Sequence, residues 1–137
     1  MKQFQKRFPN DVRLVFKHMP LASIHDKAQL ASEAAAEAHA QGKFWPMHDL
    51  LLSNQRALGR IELESYAETI GLNMARFKKA LDSGTHKKTV GADLNEGNRS
   101  GVRGTPSIFI NGRRYQGPRG YPPEGLEAVA RQYLGLK

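Results

Sequence analysis

Five histidines, His18, His25, His39, His48 and His86, are the side chains best suited to hold a metal or relay a proton. Their spacing argues against a metal site. His18 and His25 stand on either side of Pro20, and His39 and His48 fall on separate predicted helices. No H-x-x-x-H or H-E-x-x-H pair is present to set two imidazoles on one helix face. Cysteine is absent, which removes thiolate nucleophiles, disulfides and thiolate metal ligands together. A hydrolytic serine would need a strained elbow, and no G-x-S-x-G occurs. No metal and no cofactor is therefore expected, and no catalytic residue can be named.

One cluster invites a different chemistry. Between Glu96 and Glu124 there is no acidic residue, while Arg99, Arg103, Arg113, Arg114 and Arg119 are interleaved with Tyr115 and Tyr121. Arginine beside aromatics can grip phosphates and stack on bases. The same composition also suits a solvated hairpin whose charges protect its edge from aggregation. No nucleic-acid motif accompanies the cluster, so a basic nucleic-acid-contacting protein is an alternative and not the leading reading.

The elements that must position these residues fit one domain of 137 residues. Lys and Arg number 21 against 13 Asp and Glu, a net charge of +8, and 39% of the chain is hydrophobic, enough for an ordinary core. No apolar run approaches the roughly twenty residues of a membrane span. The opening MKQFQKRFPND has no apolar stretch of the kind an export signal carries. The expectation is a protein with no membrane partner, its localisation open.

Phe4 and Phe8 at helical spacing, stopped by Pro9-Asn10, read as the tail of a helix. Val12 to Phe16 is β-branched and aromatic and predicts a largely buried strand. From Asp26 to Gly97 the pattern is helical. An alanine-rich helix runs from Ala28 to Ala40, an apolar one from Phe44 to Leu52, a third from Ile61 to Ile70, and a fourth is capped by Asn73. A fifth over His86 to Asn98 is weakened by Gly91 and Gly97. Phe44, Trp45 and Phe77 are expected to form a seam between this block and a sheet, with His48 packed beside Trp45. After Gly104 the period returns to two. Ser107 to Ile110 and Arg113 to Gln116 flank Asn111-Gly112, the strongest hairpin dipeptide, and a last helix opens at Pro123.

Four stretches then carry a resemblance. Val12-Arg13-Leu14-Val15-Phe16-Lys17-His18-Met19-Pro20, Gly42-Lys43-Phe44-Trp45 with Met47-His48-Asp49-Leu50-Leu51, Ala80-Leu81-Asp82-Ser83-Gly84 and Gly101 to Gly112 are similar, in order and spacing, to landmarks of DsbA-like thiol-disulfide oxidoreductases. The resemblance implies an α/β, truncated thioredoxin-like (DsbA-like) fold with an inserted helical domain. It implies one thioredoxin-like domain over 1–137, with the helical insertion at 24–100. It also makes Thr105-Pro106 the cis-proline loop, so that Gly104, Thr105 and Pro106 are the candidate substrate-binding residues and the Thr105 backbone pairs with an extended peptide. Members of the family typically work in the periplasm or elsewhere outside the cytoplasm.

The departure from that pattern is large. The family opens with a strand and a Cys-x-x-Cys motif at the start of its first helix, whereas Met1-Lys2-Gln3-Phe4 resembles only the back half of that helix. The strand without a counterpart would lie mid-sheet, between 12–16 and 107–110. Four side chains buried by such a strand are worth on the order of 10 kcal/mol before entropy, comparable with the roughly 5–15 kcal/mol of a whole domain. A homodimer, or a partner completing the sheet, is therefore expected. The leading reading is a non-catalytic thioredoxin-fold protein, or a piece of a disulfide oxidoreductase, with peptide affinity at the proline loop. The alternative is a self-associating or strand-capturing interaction module. Without a thiolate, the chain is expected to leave insulin disulfides unreduced in a turbidity assay with dithiothreitol as electron source; turnover above the uncatalysed rate would contradict this.

Overall fold

Alanine density decides where the larger part of the molecule closes up. In the computed structural model, which describes residues 1–136, α2 (Ala28–Ala40) is the helix that α3 (Phe44–Ser53), α4 (Arg60–Thr69), α5 (Met74–Ser83) and α6 (Lys87–Arg99) all meet. Ala31, Ala34, Ala35 and Ala38 are buried, and their small side chains let neighbouring backbones approach closely. Met47, Leu63, Ala67 and Phe77 fill the centre with no exposed surface. These helices make up a compact unit over Lys17–Arg103.

Local signals end the helices where expected. The Asn73 side chain accepts the Arg76 N–H at 2.9 Å, and Gly84 takes the left-handed conformation that closes α5. Lys43 Nζ donates to the Ile70 carbonyl at 2.7 Å and so satisfies the end of α4. α6 forms through both its glycines. A side chain at Gly97 would press on Met19 Sδ at 2.8 Å, so the residue that lowers helix propensity is the one that makes room for Met19.

Two glutamates are buried among the alanines. Glu37 accepts hydrogen bonds from His86 Nε2 at 2.5 Å, Gln41 Nε2 at 2.9 Å and Arg76 Nε at 3.0 Å. Glu33 takes Gln29 at 3.2 Å on one oxygen, while its other oxygen has no partner. His18, also buried, donates its backbone N–H to Asp93 at 2.9 Å. Burial holds its imidazole below the ordinary histidine range, opposed by the Asp93 carboxylate and reinforced by His39 and His86.

The smaller unit combines Met1–Phe16 with Gly104–Lys137. In it α1 (Lys2–Arg7) presents Phe4, which with Phe8 joins Leu126 and Ala130 of α7 (Pro123–Leu134) and Tyr115 in one core. The Phe4 and Phe8 rings lie 5.8 Å apart. Arg7 is paired with Glu127 and Glu124, and Arg131 donates to Glu127 at 2.9 Å, so two arginines hold the Glu127 carboxyl below its usual range. The sheet has two strands among the described residues, β1 (Phe109–Ile110) and β2 (Arg113–Arg114), antiparallel with Phe109 opposite Arg114. Asn111 at φ 48° and Gly112 at φ 79° form the tight turn.

Two expectations are corrected. Residues 12–16 form no strand; Val12 is half-buried, but Val15 and Phe16 are 60% and 43% exposed. β-propensity acts through neighbouring strands, and none of the described strands pairs with this stretch. The three aromatics of the expected seam also separate. Phe77 and Phe44 belong to the helical core, while Trp45 is exposed and meets the His48 ring edge-on at 5.2 Å.

Because His18 resists protonation when folded, stability carried by its neutral form is complete above the unfolded value of about 6.5 and declines as pH falls through it, by at most about 1.4 kcal/mol per unit. Melting temperatures measured from pH 5 to 8 are expected to drop on the acid side in the parent protein, and to drop less in His18→Gln. Parallel curves for the two proteins would contradict it.

Candidate functional site

The loop ahead of β1 is where unengaged main chain meets a fixed scaffold. Gly104 is half-buried, Thr105 and Pro106 are exposed, and the peptide bond between the last two is cis. Three hydrogen bonds fasten the loop. Ser107 Oγ donates back to the Gly104 carbonyl at 2.7 Å, closing it from within. Arg114 Nη2 donates to Ser107 Oγ at 3.2 Å from the facing strand. Tyr121 donates its hydroxyl to the Pro106 carbonyl at 2.7 Å.

Each anchor follows from its element. The hairpin turn sets Arg114 opposite Phe109, where its guanidinium also lies 6.0 Å over the Phe109 ring. Tyr121, at φ 51°, reaches the loop from the start of α7 with its ring 5.7 Å from Tyr115. Pro106 has no N–H, and among the described residues no hydrogen bond engages the Thr105 main chain. The loop therefore offers one exposed donor and one exposed acceptor, beside a β1 edge that β2 leaves open. It holds no thiol. What it can do is pair with main chain.

The remaining candidates separate. Arg113, Arg114 and Arg119 are exposed, but Tyr115 is 91% buried with its ring in the core, and Tyr121 is half-buried against it. The aromatics interleaved with arginine turn inward, so they present no platform for a base. Among the described residues, no group of three or more His, Asp or Glu is placed to hold a metal ion. No described helix is long and apolar enough to cross a membrane. Sequence reasoning overlooked the part Tyr121 plays in the loop, because nothing local marks a tyrosine for positive φ. It also overlooked Glu37 with His86, which lie 49 positions apart. A glutamate on the alanine face of α2 was the available signal.

Comparison with known proteins places the chain in a family. Residues 1–129 match the DSBA-like thioredoxin domain. The chain is 44% identical over 118 residues to a Na(+)/H(+) antiporter NhaA 3 of Salinispora tropica, a stretch that is 86% of this chain and 18% of that protein. It is 42% identical over 119 residues to Na(+)/H(+) antiporter NhaA 1 of Salinispora arenicola, covering 87% of this chain and 18% of that one. It is 38% identical over 110 residues to the antiporter NhaA of Herminiimonas arsenicoxydans, covering 80% and 17%. The chain thus spans less than a fifth of the length of these curated relatives. No solved structure matches it. With the family's domain matched from Met1 into α7, the chain belongs to the DSBA-like thioredoxin domain family and is a member without cysteine.

Proposed function

We propose that this chain is a non-catalytic, thioredoxin-like interaction module that captures an extended polypeptide segment at Gly104, Thr105 and Pro106. The observation that carries this reading is the exposed, unengaged Thr105 main chain beside the open edge of β1. Two-residue strands leave most of a sheet's hydrogen-bonding capacity to an incoming strand, and β-augmentation uses that capacity for affinity. Absence of cysteine leaves the recognition half of the family's chemistry and removes the exchange half.

On this reading the fold is a truncated thioredoxin-like one. The helical residues within 24–100 are its insertion, and the incoming segment takes the mid-sheet place. Val15, Phe16 and Phe109, all exposed, supply apolar surface for that segment to cover. A second copy of the chain supplies it in a homodimer; a longer polypeptide supplies it otherwise. The relatives named as antiporters carry the matched stretch as a domain-sized fraction of a much longer protein. We accordingly take the module to act as an accessory domain beside a Na(+)/H(+) antiporter.

An extended peptide that binds this chain is expected to lose at least about tenfold in affinity when the one amide facing Thr105 is N-methylated, the worth of one lost main-chain hydrogen bond. Equal affinity of the methylated peptide, measured by fluorescence anisotropy, would sink the pairing mode. Sedimentation velocity over a hundredfold concentration range is expected to show a dimer that the peptide dissociates. A photocrosslinker placed at position 109 is expected to trap the antiporter in cells; adducts with unrelated exported proteins alone would overturn that part.

A further inference from the structure

We infer that the smaller unit carries a second binding site, a cavity between the hairpin and α7 that takes an organic anion with an apolar body. The cavity is open to solvent on one side and has a volume of about 700 Å³, within the range of small-molecule sites, roughly 300–1,000 Å³. Ile110, Pro118 and Val129 contribute apolar wall, and Arg113, Gln116 and Gln132 contribute polar groups. None of the described residues lining it is a carboxylate. It is separate from the Thr105 loop, none of whose three residues lines it.

Strand and helix geometry account for this composition. Alternation along β2 sends Arg113 and Tyr115 to one side of the hairpin and Arg114 to the other. Tyr115 enters the core beneath α7, so Arg113 shares its side. Arg114 also borders the cavity, but its guanidinium is committed to Ser107 and lies over Phe109. On α7, Gly125, Val129 and Gln132 form one stripe along the cavity, while Glu124, Glu127 and Arg131 form another that is tied to Arg7. The helix's two carboxylates are thereby spent on a different face. Gly117 and Gly125 are fixed by the Tyr115 hydroxyl, which a side chain at either position would strike.

Charge on a larger scale points the same way. The smaller unit holds nine of the 21 Lys and Arg but three of the 13 Asp and Glu, which is +6 of the net +8. A guanidinium beside an apolar wall favours a carboxylate or phosphate whose body covers that wall, because the headgroup gains charge-assisted hydrogen bonds while the body leaves water. A cation gains nothing here, and a neutral alcohol gains only the wall.

The test uses hexanoate, hexyl phosphate, hexanol and hexylammonium as probes against the whole chain, followed by amide NMR shifts. Hexanoate or hexyl phosphate is expected to shift Arg113, Gln116 and Gln132 saturably, and whichever binds tighter identifies the headgroup. Arg113→Gln is expected to weaken binding about tenfold, and Ala128→Leu, which narrows the cavity beside Val129, to weaken it as well. Retained spectral dispersion shows that each variant is folded; Gln132→Ala, at an exposed position, serves in place of any that is not. Saturation by hexylammonium at the same residues, full affinity in Arg113→Gln, or inorganic phosphate binding as well as hexyl phosphate would overturn the site.

Discussion

Packing of Phe4 and Phe8 against Leu126, Ala130 and Tyr115 is the interaction on which the smaller unit depends. A hairpin with two paired residues per strand is marginal by its own hydrogen bonds. It persists because Tyr115, one residue past β2, is drawn into the apolar cluster that joins α1 to α7. The Arg7 pairs with Glu124 and Glu127 lie at the solvent side of that junction, where exposed ion pairs contribute little. Burial of aromatic surface does most of the holding. The loop inherits its position from the same cluster: Tyr115 packs on Tyr121, and Tyr121 fastens the Pro106 carbonyl.

The helical unit solves a different problem, that of burying charge. Glu37 sits at 2% exposure with three donors around it, and removing one of them would leave a buried oxygen short of a partner. Such an arrangement is weak evidence of stability, since apolar residues could fill the same space. It does specify partners: α2 is tied through one side chain to α5 by Arg76 and to α6 by His86. An alanine helix packs in many registers, and a buried polar group selects one of them.

Much of this was legible in the sequence wherever a local cause suffices. Asn73 and Gly84 bound α5, Asn111-Gly112 makes the turn, and the apolar stripes mark six of the helices. The region 12–16 was misread because Val, Leu and Phe record a preference for a sheet and not the presence of one. Gly97 lowers the helix propensity of α6 as read, but the reason for it lies at Met19, far along the chain. Tyr121 and His86 were missed for the same cause: their partners are 15 and 49 positions away, and no period announces them. At the loop, the residues were legible by resemblance, but the absence of a hydrogen bond on Thr105 is a fact of three dimensions.

Absence of cysteine from these residues bears on what the proline loop is proposed to do. In a disulfide enzyme, a captured peptide must leave after exchange, so main-chain pairing next to the sulfurs has to stay weak. On the proposed reading, a chain without cysteine has no exchange to complete, and pairing at Thr105 is free to strengthen into a lasting contact. The same freedom applies to charge. A strongly basic surface near a thiolate would alter its reactivity, and no thiol stands among these residues. Concentrating +6 in the smaller unit fits the association proposed for it.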